Sequence, residues 1–87
     1  MKQNALLLQM LQQFRQRHHS DPKQVVVAPV ALLALGLKDS LVVRFGTIPI
    51  TCRLFNESEV VESGNALGIF CRQNEPMEVR ACDLLVE

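Results

Sequence analysis

Tryptophan and tyrosine are both missing from this 87-residue chain, and four Phe supply its only benzene rings. That lack argues against a stacking platform for single-stranded nucleic acid, which needs aromatic faces for successive bases. The four Gly are scattered, so neither a P-loop nor a GxGxxG turn is present to cradle phosphates. Cysteine is scarce and odd in number: Cys52, Cys71 and Cys82 stand far apart. That spacing suits neither a disulfide framework nor a zinc site, so no metal and no other cofactor is expected. The reading is of reduced thiols in a cytoplasmic protein, with Cys52 and Cys71 inside apolar strands and slow to react. No apolar run approaches the roughly 20 residues that span a bilayer, and no membrane partner is expected. Lys2 before Ala5-Leu6-Leu7-Leu8 invites comparison with a signal peptide. Gln9, Gln12 and Gln13 interrupt that stretch and no small-residue cleavage site follows, so none is expected.

What the chain does have is apolar residues, 48% of the total, enough for one folded soluble domain with a modest core. Most of the large ones fall in residues 25–54, VVVAPVALLALGLKDSLVVRFGTIPITCRL. Val25, Val26 and Val27 make a continuous β-branched run, as in a strand buried on both faces. Pro29 suits a first helical turn, and the Val30 to Leu35 run then predicts a short helix, apolar nearly all round and therefore buried. Gly36 fits its C-terminal cap, and Leu37-Lys38-Asp39-Ser40 forms a polar break. Residues 41–45 and 48–54 read as a hairpin around Gly46-Thr47. Its second strand points Ile48, Ile50, Cys52 and Leu54 to one face. Pro49 removes a ladder donor and so predicts an edge or a bulge.

Ahead of this unit, residues 4–17 predict an amphipathic helix. Leu7, Met10, Leu11 and Phe14 follow i, i+3, i+4, i+7 spacing, and Arg15 and Arg17 complement the negative end of the helix dipole. His18-His19-Ser20-Asp21-Pro22 reads as a solvated stop and loop, its two imidazoles too few for a metal site. Behind the unit, residues 59–62, 66–71 and 77–81 read as short strands separated by Ser63-Gly64-Asn65 and Gln73-Asn74-Glu75-Pro76. The organisation is thus an N-terminal helix and linker over 1–23, then a second unit over 24–87.

Ala34-Leu35-Gly36-Leu37 followed by Leu41-Val42-Val43-Arg44-Phe45-Gly46 resembles half of a cradle-loop or double-psi β-barrel. Within that group it is similar to the N-terminal barrel of spore-coat-associated ATP-grasp proteins and to AbrB-like and MazE-type swapped-hairpin proteins. Glu62-Ser63-Gly64-Asn65-Ala66-Leu67-Gly68-Ile69 also resembles the turn and strand of MazE-type antitoxins. The resemblance implies an α+β fold: an amphipathic helix beside a small, partly open β-barrel holding one short buried helix. It further implies a DNA-binding regulator, although Val25, Val26 and Val27 are apolar where such regulators have a basic first strand.

No Ser, Cys or His sits in a recognisable nucleophile signature, and Glu57, Glu59 and Glu62 read as a solvated acidic face. No catalytic residue is therefore assigned. The leading expectation is a non-catalytic protein-interaction or assembly module, a homodimer or bound to another protein, with DNA-binding regulator and small enzyme as alternatives. Its contact surface is assigned to Leu7, Met10, Leu11, Phe14, Arg15 and Pro49. Charge adds one clue to self-association. Residues 1–53 hold seven Lys/Arg and two Asp, whereas residues 54–87 hold two Arg and seven Asp/Glu, so the halves are opposite in sign although the whole is neutral.

Overall fold

The computed structural model describes residues 4–35, 44–71 and 78–86. The elements run α1 (Asn4–His18), β1 (Gln24–Val27), α2 (Pro29–Ala34), β2 (Arg44–Phe45), β3 (Ile48–Cys52), β4 (Val60–Val61), β5 (Ala66–Cys71) and β6 (Val79–Leu84). The fold is mixed α+β. Gly36, the break at 37–40, Leu41, Val42 and Val43, the loop at 73–76 and Met77 lie outside the described residues.

The six strands form one sheet in the order β2-β3-β1-β5-β6-β4. β1 lies at the centre and pairs parallel with both β3 and β5. β6 runs antiparallel to β5, and the short end strands β2 and β4 run antiparallel to β3 and β6. The sheet is open, ending at β2 and β4, and no barrel closure is seen among the described residues. β3 is an interior strand, which corrects the expectation of an edge at Pro49. Pro49 is accommodated because it precedes Ile50, the first β3 residue in register with β1. The hairpin reverses at Gly46, whose φ of 66° is the left-handed conformation that two-residue hairpin turns require.

Both faces of β1 are sealed: Val25, Val26 and Val27 have no exposed surface. On one face α1 lays Leu7, Met10, Leu11 and Phe14 against Val25, Val27, Leu67 and Ile69, and Ala31 and Leu35 close the same core. The 3.6-residue stripe therefore covers the chain's own sheet. Burying a side chain of the size of Phe14 contributes about 1.5–3 kcal/mol. α2 begins where expected, with the Ala28 carbonyl accepting the N–H groups of Ala31 at 2.9 Å and Leu32 at 3.2 Å. It is not buried all round, since Pro29 and Val30 face outward.

The opposite face holds a smaller core of Val26, Ala66 and Leu84, overlaid by Phe55, Cys82 and Val86. Phe55 arrives there because β3 and β4 stand on different sides of β1, so residues 53–59 must cross the sheet as a strap. Its ring meets Phe70 edge-on at 6.0 Å, a favourable quadrupole geometry. Asn65 fastens the turn before β5. Its carbonyl accepts Lys23 N–H at 2.6 Å and its side-chain Oδ1 accepts Val86 N–H at 2.9 Å.

Beside Asn65, Gly64 packs so closely on β6 that a Cβ there would overlap the Leu84 carbonyl. At Gly68 the added atom would press only on the Leu84 and Cys82 side chains, which can shift. Gly64→Ala should therefore lower stability by about 2 kcal/mol or more and by more than Gly68→Ala, as measured by urea unfolding. Equal costs for the two variants would contradict this packing.

Candidate functional site

The largest departure from the sequence reading is at the end of α1. Phe14 to His18 is a four-residue step, so a helix continuing through His18 puts the imidazole on the buried stripe and out of the solvent. His18 is half-buried and packs on Phe14 with ring centroids 4.3 Å apart and the ring planes tilted by 40°. The helix ends at His18, and the next residue, His19, takes a left-handed φ of 58° with its N–H donating to the Arg15 carbonyl at 2.7 Å. Only His19 keeps the solvated place expected of both.

Beneath that end lies Asp83 of β6, 7% exposed and the one buried acidic residue among those described. Arg17 Nη2 donates to its Oδ1 at 2.8 Å, and His18 Nε2 meets its Oδ2 at 2.6 Å. A carboxylate taken out of water needs such partners, because its desolvation is otherwise uncompensated. The Arg17 guanidinium also lies 5.7 Å from the Phe14 ring centre, in cation–π range. Nothing in the local pattern marks Asp83 as the partner, since it stands 65 residues beyond His18.

Chemically, a carboxylate holding an imidazole is two-thirds of a nucleophile-activating triad. The neighbouring thiol does not complete it. Cys82 belongs to the opposite face of β6, and burial and then the Asp83 charge both push its pKa up. Burial raises the Cys71 thiol also. Among the described residues, no three His, Cys, Asp or Glu side chains converge as metal ligands would. The arrangement is thus a clamp between α1 and β6. Cys52 is exposed on β3, which corrects its expected place in the core.

A second ion pair fixes the strap. Arg53 donates to the Leu54 carbonyl and to Glu59 Oε1, both at 2.9 Å, and Glu59 Oε2 accepts Asn56 N–H at 3.0 Å. The Arg53 hydrogen bond, then the Asn56 N–H, hold the Glu59 carboxyl below its ordinary value of 4.5. The basic and acidic halves of the chain meet in both pairs, Arg17 with Asp83 and Arg53 with Glu59.

Of the residues assigned to a contact surface, Leu7, Met10, Leu11 and Phe14 lie in the core. Arg15 and Pro49 are exposed. Arg15 forms an ion pair with Asp21 at 2.6 Å on the rim of a cleft of about 230 Å³, floored by Leu11, Phe45 and Ile48. The surface also shows large apolar residues that the pattern placed inside or left unassigned: Leu54 at 76% exposed, Leu85 at 64%, Val30 at 52%, Leu8 at 44% and Val60 at 43%. No helix among the described residues is long and apolar enough to cross a membrane. No family model matches the chain, and no solved structure matches it.

Two expected outcomes follow from these contacts. Asp83→Asn removes the charge that Arg17 and His18 surround and should lower unfolding stability by about 1–3 kcal/mol, read from urea melts. A change within error would make the clamp energetically idle. For Glu59, the folded pKa lies below the unfolded one, so its stabilising contribution is complete above pH 4.5 and is lost as pH falls through the lower folded value. Carboxyl NMR titration should place Glu59 below 4.5, and Arg53→Gln should move it back upward. A wild-type Glu59 titrating at or above 4.5 would exclude the strap contacts.

Proposed function

We propose that this chain is a non-catalytic assembly module that associates with further copies of itself. The observation that carries the reading is the exposed apolar group around the β4 end of the sheet. Val60 pairs with Leu84 of the small core and Leu85 follows it, while Leu54 precedes Phe55, which packs on that core. Exposed apolar surface bordered by polar residues such as Asn56, Glu57 and Glu62 is what a protein contact uses. A duplex-DNA surface fits less well, because DNA binding draws on free Lys and Arg to neutralise phosphates. Here Arg15, Arg17, Arg53 and Arg80 each face a carboxylate of the same chain.

Sedimentation equilibrium and native mass spectrometry should find a concentration-dependent mass of at least two chains. Leu54→Asp combined with Leu85→Asp should reduce that mass while leaving the circular dichroism spectrum intact, because both side chains are exposed. A monomer at every accessible concentration would overturn the assignment.

A further inference from the structure

Among the described residues, the sheet ends in two strands of opposite charge character, β2 and β4, each paired on one side. β2 comes from the basic half of the sequence and carries Arg44, whereas β4 comes from the acidic half and runs into Glu62; Arg44 and Glu62 are both exposed. The two end strands also point in opposite directions. β2 is antiparallel to β3, β3 is parallel to β1 and β5, and two antiparallel steps through β6 bring β4 back to the direction of β1. A copy placed beyond β4 with its β2 innermost therefore offers an antiparallel partner without being turned over.

The pleat is consistent with the same register. Phe45 pairs with Ile48, and both pack on the helix-covered side. Val61 pairs with Asp83, which reaches α1 on that side too. Arg44 pairs with Pro49 on the opposite side, and Val60 pairs with Leu84 there. Setting Phe45 of one copy opposite Val61 of another matches that pair by face and brings Arg44 beside Glu62, the first residue after β4. One is an aromatic contact to a β-branched residue and the other a charge pair, two combinations that stabilise cross-strand neighbours.

Resting on the self-association reading, we propose that copies of this chain join head to tail, β4 of one adding antiparallel to β2 of the next. Two different surfaces meet in such a contact, so it does not close after two copies and can extend the sheet from chain to chain. An isologous β4-to-β4 pairing would instead bring the acidic flanks Glu59 and Glu62 of both copies together.

Charge reversal tests this directly. Arg44→Glu alone and Glu62→Arg alone should each raise the self-association Kd about tenfold, measured by sedimentation. An equimolar mixture of the two should regain wild-type association, because each then supplies the edge that complements the other. The double variant, Arg44→Glu with Glu62→Arg, should regain it unaided, and a variant that had merely failed to fold would not be rescued by mixing. Association of the wild type that neither single reversal weakens, or that mixing leaves weak, overturns the edge pairing and leaves self-association through another surface. A wild type that stays monomeric removes both readings.

Discussion

Three consecutive valines with no exposed surface set the conditions that the rest of the chain meets. Val25 and Val27 face one side of the sheet and Val26 the other, so β1 needs cover above and below at once. An 87-residue chain has little material for two layers. It assigns its two helices to one side. The strap of residues 53–59 and the tail at Val86 form the thinner second layer, in which Phe55 is the largest contributor. The unequal cover accounts for the surface. The helix layer buries Leu7, Leu11 and Phe14 while turning Leu8 and Val30 outward, whereas the strap half-buries Phe55 and leaves its neighbour Leu54 outside.

The ion pairs belong to the same economy of layers. The clamp of Arg17 and His18 on Asp83 holds the C-terminal end of α1 to β6, and Arg53 with Glu59 stiffens the strap across the other face. Each joins a basic residue of the first 53 positions to an acidic residue of the last 34. The sequence asymmetry in charge is therefore partly consumed inside the fold, while Arg44 and Glu62 stay exposed beside the end strands.

Much of the local structure was legible in the sequence. The stripe from Leu7 to Phe14, the valine run, Pro29 at a helix start, the Gly46-Thr47 turn and the Ala66 strand all report contacts between near neighbours in the chain, which period and turn chemistry encode. Strand order was not legible. Pro49 and Cys52 were misplaced because alternation in one strand says which residues share a face but not which strands flank it. Asp83 escaped notice because its meaning depends on Arg17 and His18, more than sixty residues away. His18 was within reach, one helical turn past Phe14, but was read as loop because Asp21-Pro22 suggested an earlier stop.

The parallel pairing of β1 has a bearing on how this chain acquires its shape. A strand at residues 24–27 that is hydrogen-bonded on both sides must wait for residues 50–52 and 66–69, and the helix above it is not clamped until residue 83 arrives. No N-terminal fragment that stops short of β5 can pair both sides of the strand at the centre of its own sheet. Such long loops are closed at an entropic cost before any contact repays it, which slows folding relative to a hairpin-built sheet of the same size. Until β5 has added, the valine run carries an unpaired edge, the kind of surface on which incompletely folded chains aggregate.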